Sequence, residues 1–139
     1  MALTPSLSAE VNVPIESERD IVIARQRGRE LARMLGFSST DQALLATAIS
    51  EVARNIVIYA QKGTVLLRGL DEGGRRGLLI SAEDHGPGIE DPAAAMRDGY
   101  STGTGLGLGL PGAKRLVDEF ELESKCGVGT TVTMKKWSQ

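Results

Sequence analysis

Glu51 and Asn55 lie four residues apart in the stretch ISEVARNIVIYA, residues 49–60. Ile49, Val52, Ile56 and Tyr59 recur around them with the spacing of a helix buried along one side. Residues at i and i+4 share a side of a helix, so the carboxylate and the carboxamide project together. An amide oxygen is a neutral ligand that suits Mg²⁺ when phosphates carry the negative charge. A carboxylate one turn earlier can accept a proton from an attacking hydroxyl. The polar edge of an ordinary amphipathic helix would also account for these two residues. The pair therefore decides nothing alone.

Three glycine-bearing stretches downstream add to it. EDHGPGIED, residues 83–91, follows a strand directly. Gly86 and Gly88 permit close backbone approach or positive φ, and Pro87 stiffens the turn. Asp84, at the strand end, is placed to accept a hydrogen bond from an exocyclic amine such as that of adenine. An ordinary tight turn would use the same residues. STGTGLGLGLPGAK, residues 101–114, alternates glycine at 103, 105, 107 and 109 just before a helix. Free backbone N–H groups at such a place attract phosphate. Leu106, Leu108 and Leu110 alternate with the glycines as anchors that pack the loop down. GLGLPG at 107–112 matches G-x-G-x-x-G, but a dinucleotide fold needs a strand immediately before it, and here a glycine loop precedes it. A Walker A loop needs Gly-Lys-Ser/Thr, and the chain reads Gly112-Ala113-Lys114. Finally, in GVGTTVTM, residues 127–134, Gly129 and Thr130 open the last strand. A hairpin turn suffices to explain them, with Thr130 also a candidate contact to the same pocket.

The elements that must position these residues follow from periodicity and punctuation. Residues 9–15 alternate as an edge strand, with Pro14 near its end. Ser17 with Asp20 forms a capped helix start, and periodicity runs to about Leu35 before the stop signal at Gly36. SSTDQ opens a second helix, from about Thr40 to Ala60. Strands at 63–70 and 76–84 are joined by the turn signal DEGGR. Residues 85–112 are loop-like, with a short helix at DPAAAMRD. A further helix is expected from about Leu110 to Phe120, Pro111 falling in its first turn. ELESKC and GTTVTMKKW close the chain as a hairpin around GVG. Hairpins with helices grouped between them predict an α/β two-layer sandwich, with a mixed, mostly antiparallel sheet covered on one face by helices.

Composition narrows the classes of function. The chain has 139 residues, the size of one domain. A net charge of −2 gives no electrostatic case for nucleic acid or an anionic membrane. No apolar run reaches the length of a membrane span, and MALTPSLSAEVNVPIESERD lacks the pattern of a signal peptide. A cytoplasmic location is the expectation. One cysteine, Cys126, excludes an internal disulfide and a cysteine-rich zinc site. Its place in a strand predicts a small core residue.

The four chemical pieces, in this order, resemble the ATP-binding fold shared by gyrase, Hsp90, histidine kinases and MutL, the GHKL superfamily. E-x-x-x-N at 51–55 looks like its N box, D-x-G-x-G at 84–88 like its G1 box, and G-T-G-L-G-L at 103–108 like its G2 box. G-T at 129–130 stands where a third piece falls. Residues 18–56 and 82–120 further resemble the small anti-sigma-factor-type serine/threonine kinases, most of all the switch kinases of bacterial stressosomes. The resemblance covers nearly the full length.

It implies a single Bergerat-type kinase domain over 1–139 that uses ATP and Mg²⁺. By position, Asn55 would ligand Mg²⁺ and Glu51 would be the general base. Asp84 would read adenine, and Gly86, Gly88 and Ile89 would shape the pocket. Gly103, Thr104, Gly105, Leu106, Gly107, Leu108 and Gly109 would surround the phosphates, with Thr130 a further contact to the nucleotide pocket. The implied partners are STAS-domain scaffold and antagonist proteins, whose serine or threonine is phosphorylated. A downstream enzyme such as a PP2C-type phosphatase would then be activated. A direct anti-sigma-factor kinase and a nucleotide-controlled binding module are the alternatives. The chain departs from histidine kinases in its short segment between the G1 and G2 pieces and in lacking a visible F box. Its one histidine, His85, falls at a variable loop position and reads as solvated. Arg54 could reach phosphate or a carboxylate, and Lys62 is a weaker phosphate candidate.

Overall fold

The structure, a computed structural model, describes residues 10–89, 96 and 109–138. Five strands and three helices follow in the order β1 (Glu10–Ile15), α1 (Glu18–Met34), α2 (Ser39–Tyr59), β2 (Gly63–Glu72), β3 (Arg75–Asp84), α3 (Gly109–Arg115), β4 (Glu119–Lys125) and β5 (Gly129–Trp137). The spatial strand order is β1-β2-β3-β5-β4. The short helix expected at DPAAAMRD lies outside the described residues, Met96 apart.

The helices begin where the sequence supplies caps. The Asp20 carboxylate accepts from the backbone N–H of Glu16 at 2.8 Å and of Ser17 at 3.1 Å, opening α1. Ser38 Oγ accepts from the Asp41 N–H at 3.1 Å, opening α2. Both helices lie on one face of the sheet. There they bury Ile21, Ala24, Leu31 and Ala32 from α1, and Leu45, Ala48, Ile49, Val52, Ala53 and Ile56 from α2. A side chain at Gly28 would collide with Ile49, so glycine there lets the two helices approach closely.

Period-two alternation supplies the other half of the core. Val13, Ile15, Val65, Leu67, Leu78, Ile80, Ala82, Val132 and Met134 are buried and form one cluster with the helices. Phe120 and Leu122 of β4 pack against it. Alternate positions such as Leu66, Ser81 and Thr133 face the uncovered side and are half-buried.

Four expectations need correction. The sheet was expected to be mixed, yet every described pairing is antiparallel. β3 and β4 do run the same way, but β5 is inserted between them, which removes the parallel contact. The helix expected to reach Phe120 ends at Arg115, because β4 starts at Glu119 and pairs with β5 from Lys135 to Gly129. Asp118 marks the change: its N–H donates to the Lys135 carbonyl at 2.9 Å and its carboxylate accepts from the Trp137 N–H at 2.7 Å. Cys126, expected in the core, is exposed in the turn after β4. Tyr59 is 37% exposed rather than buried, because it is the last residue of α2 and overshoots the sheet.

The one-sided sheet predicts a contrast between neighbours in the ladder. Ile80→Ala, on the covered face, should cost about 2–4 kcal/mol in urea unfolding. Thr133→Ala, on the uncovered face, should cost below about 1 kcal/mol. Equal losses would mean that both faces are covered.

Candidate functional site

At one end of the sheet the inward-facing rank of side chains changes from apolar to polar. Along β3, Leu78, Ile80 and Ala82 point to the helices, and the next inward position is Asp84. On β5, Thr130 is paired directly with Asp84, and on β4 Ser124 is paired with Thr130. Three polar side chains thus stand side by side on adjacent strands. Asp84 and Thr130 are buried and Ser124 is half-buried.

A buried carboxylate must be hydrogen-bonded. Asp84 Oδ1 accepts from the Gly86 N–H at 2.9 Å and from the Thr130 N–H at 3.3 Å. The first bond closes a turn two residues on, the local bond that lets Asp start a tight loop. Among the described residues no donor reaches Oδ2. That oxygen is left to accept from something else.

The loop that follows is wedged between two elements. A Cβ on Gly86 would stand 2.6 Å from Ala60 Cβ, at the end of α2. A Cβ on Gly88 would stand 2.5 Å from the Lys125 carbonyl oxygen, and Gly88 has φ +82°. Both glycines are therefore required by space, and Gly88 also by conformation. The turn between β4 and β5 holds the loop from outside: the Gly127 N–H donates to the Pro87 carbonyl at 2.9 Å. The Ile89 N–H donates to Ser124 Oγ at 2.6 Å.

α2 forms the facing wall. Its residue Ile56 and the β-carbon of Asp84 both crowd Gly63, so the C-terminal half of the helix runs beside Asp84. Asn55 and Glu51 precede Ile56 on that half. Glu51 is only 7% exposed, and Arg54 Nη1 lies 3.7 Å from its Oε2. Of the two roles open to Arg54, the structure shows the ion pair to a carboxylate. The half-buried Asn55 carboxamide hydrogen-bonds to none of the described residues. α3 packs across α2 and begins at Gly109, which has φ +53°. Gly103, Thr104, Gly105, Leu106, Gly107 and Leu108 lie outside the described residues.

The structure therefore brings Asp84, Gly86, Gly88, Ile89 and Thr130 together at the sheet end, with Glu51 and Asn55 on the helix beside them. Among the described residues no three His, Cys, Asp or Glu side chains gather as a metal site. A divalent cation held here would use Asn55 and oxygens brought by a ligand. The unengaged carboxamide fits that role for a hard cation. His85 is exposed in the loop, as expected, and Lys62 is exposed after α2. A groove of ≈ 580 Å³ at the same sheet end is lined by Glu83, His85, Glu123, Val128 and Thr131. Asp84, Ser124 and Gly129 also line it, so it adjoins this site, although neither Glu51 nor Asn55 reaches it. Ser124 was missed in the sequence. Its parity with Phe120 and Leu122, together with the hairpin register, would have placed it beside Thr130.

Gly88→Ala should lower stability by about 1–3 kcal/mol, because it forces both a left-handed alanine and a clash with the Lys125 carbonyl. Gly74→Ala, also at positive φ but with nothing within 4 Å, should cost less. Equal losses in urea titrations would mean that the wedge contributes nothing.

Comparison with known proteins bears on the fold and the family. Residues 15–136 match the family model of the histidine kinase-like ATPase domain. The chain is 54% identical over 125 residues to the serine/threonine-protein kinase RsbT of Bacillus subtilis (strain 168), covering 90% of this chain and 94% of that protein. It is 31% identical over 134 residues to the anti-sigma F factor of Thermoanaerobacter sp. (strain X514), covering 92% of each. Among solved structures, the mycobacterial sensor histidine kinase MprB superposes with a TM-score of 0.52 at 18% identity, over 95% of this chain and 98% of that one. The catalytic domain of histidine kinase ThkA gives 0.51 at 14% identity, over 91% and 95%. These two likenesses establish the fold. The matched family model and the 54% identity establish the family: the chain belongs to the histidine kinase-like ATPase domain family, among its RsbT-type serine/threonine kinases.

Proposed function

We propose that this kinase is a cytoplasmic, Mg-ATP-dependent protein serine/threonine kinase, one domain over residues 1–139, that phosphorylates STAS-domain proteins of a partner-switching module. The observation that carries the reading is the pairing of a buried Glu51 with an unengaged Asn55 carboxamide, on the helix beside the open Oδ2 of Asp84. Pure nucleotide binding does not need the carboxylate; proton abstraction does.

The residues divide the work as follows. Asp84 Oδ2 accepts from the exocyclic amine of adenine, while Oδ1 stays bound to Gly86 and Thr130. Gly86, Gly88 and Ile89 line the base, and their wedged backbone keeps that wall rigid. By the family resemblance, Gly103 to Gly109, with Thr104, Leu106 and Leu108 between the glycines, would serve the phosphates. Asn55 would hold Mg²⁺, which when bound neutralises charge on the transferring phosphoryl group. Glu51 accepts the proton of the substrate serine or threonine hydroxyl as its oxygen bonds to the γ-phosphorus and the bond to the β-phosphate oxygen breaks, leaving ADP. Arg54 holds the Glu51 carboxylate from one side. Little covalent chemistry is asked of the protein, and positioning with charge neutralisation carries most of the rate. After phosphorylating its scaffold the kinase would leave it and act on a downstream enzyme such as a PP2C-type phosphatase. The likeness to the anti-sigma F factor supports a second reading, in which a sigma factor is bound directly.

Intact-mass analysis of a purified STAS-domain protein incubated with this chain and Mg-ATP tests the reading. A gain of one phosphate is expected. Glu51→Gln should slow it by at least about 100-fold while ATP binding persists, and Asn55→Ala should remove the Mg²⁺-dependent part of ATP affinity. Unchanged transfer by both variants would sink the assignments. A stable complex without transfer, with capture of a sigma factor in ATP or ADP, would favour the second reading.

A further inference from the structure

We propose that the free side of β4 is a docking edge, which takes an extended segment of a partner protein as a sixth strand, the segment's lysines or arginines alternating with apolar residues. The surface uses none of the residues given a part in nucleotide binding or phosphoryl transfer above, so the proposal stands apart from that reading.

The sheet has two edges, and they differ as templates. β4 is paired with β5 on one side and with no other described strand. In an antiparallel strand, alternate residues direct their N–H and C=O to opposite sides, so half of these groups on β4 point away from the sheet. Its seven residues, Glu119–Lys125, hold neither proline nor glycine, and all are in register with β5. The opposite edge, the six-residue β1, contains Pro14, which has no N–H to offer. Its Glu10 is already paired with Arg68 at 2.9 Å.

The side chains of β4 sort by face. Phe120 and Leu122 point to the core yet stay half-buried, with no described strand beyond them. Glu119, Glu121 and Glu123 point the other way and are exposed. Glu119 is engaged: Lys135 Nζ lies 3.9 Å away, and the Trp137 indole N–H donates to it at 3.2 Å. Glu121 and Glu123 have no hydrogen-bonding or charged partner among the described residues. Their ladder neighbours are Thr133 and Thr131, and beyond Thr131 stands the exposed Glu83 of β3. A residue on a strand added to β4 would have its β-carbon about 4.5–5.5 Å from that of Glu121 or Glu123. At the Ser124 end, Leu122 and the 56%-exposed Val128 line the groove of ≈ 580 Å³, which offers a seat for an apolar side chain of the same segment.

Charge decides the occupant. Antiparallel pairing of β4 with a second copy of itself, centred on residue 121 or 122, would set Glu121 and Glu123 opposite glutamates, which disfavours self-association. A basic segment is attracted instead. Its alternation lets the cations meet the glutamates while the apolar residues cover Phe120 and Leu122. Main-chain bonds supply affinity in such strand additions, and alternate side chains supply selectivity. Ser124 of the same strand accepts from the Ile89 N–H at 2.6 Å, so β4 joins the docked segment to the loop after Asp84.

Calorimetric titration of the full chain with a capped Lys-Val-Lys-Ile-Lys-Val-Lys peptide tests the proposal. That peptide should bind at least about tenfold more tightly than one of the same composition with its lysines grouped, and N-methylation of alternate residues on its bonding side should remove binding. Joint Glu121→Lys and Glu123→Lys substitution should weaken the peptide by about tenfold and confer binding of Glu-Val-Glu-Ile-Glu-Val-Glu. Hydrogen exchange should slow at alternate amides within β4 and not along β1. Equal binding of the alternating, grouped and N-methylated peptides to the unsubstituted chain overturns the proposal, and needs no variant to fold. So does an absence of binding at millimolar peptide, or protection confined to another element. Slowed exchange in β4 on concentrating the chain alone would make a second copy the occupant and overturn it too.

Discussion

A carboxylate placed at the end of a sheet, on its covered face, is the constraint around which this end of the molecule is built. Asp84 occupies the next inward position after three apolar ones, so the alternation that makes the core also carries a charge under the helices. Leaving it unsatisfied would cost more than the packing around it gains. The backbone meets the demand with two N–H groups, one from the loop and one from the neighbouring strand. The first bond shapes the loop. The second ties β5 to β3 in the register that sets Thr130 opposite Asp84. A one-residue slip would turn every inward side chain of β5 outward, so the core and the site enforce the same register.

α2 shows how one helix serves two surroundings. Ile49, Val52 and Ile56 are within a percent of full burial and belong to the core cluster. Glu51 is nearly as buried, yet lies on a different side, with Arg54 as its partner. The helix is long, 21 residues, and its polar pair falls in its second half, where the sheet end and the loop meet it.

Much of this was legible in the sequence, and the exceptions share a cause. Caps, helix positions and both hairpins came from local signals, Ser17 with Asp20, Ser38, DEGGR and GVG, which act over a few residues. The motif spacing pointed to residues that the fold does bring near one another, Asp84, Gly86, Gly88, Ile89 and Thr130 beside the helix of Glu51 and Asn55, while Gly103 to Leu108 lie outside the described residues. What failed depended on partners distant in the chain. The helix ending at Arg115 is decided by β5, which claims Glu119 onward as an edge strand. The absence of a parallel pair depends on where β5 inserts, which no local pattern reports. Ser124 looked like one polar residue in an edge strand, and its meaning came only with the register that puts it against Thr130 and Ile89. Cys126 was misjudged by one position: β4 stops at Lys125, and the turn turns its next residue out to solvent.

Likeness of fold and likeness of site carry different weight for this chain. The histidine kinases share its architecture at identities that say nothing about chemistry, since one fold hosts many activities. Any inference about chemistry has to come from the side chains of this chain. Its one histidine is exposed in the loop after Asp84, not on a helix placed to receive phosphate. The acidic residue one turn before Asn55 is buried, with Arg54 Nη1 3.7 Å from its carboxylate. An acceptor histidine carries its own nucleophilic nitrogen, whereas a serine hydroxyl must lose a proton as it attacks, so the second chemistry needs a base, the role proposed for Glu51. In the proposed mechanism it is the buried Glu51 beside Asn55 on α2, and not the shared sheet beneath it, that serves the serine or threonine hydroxyl.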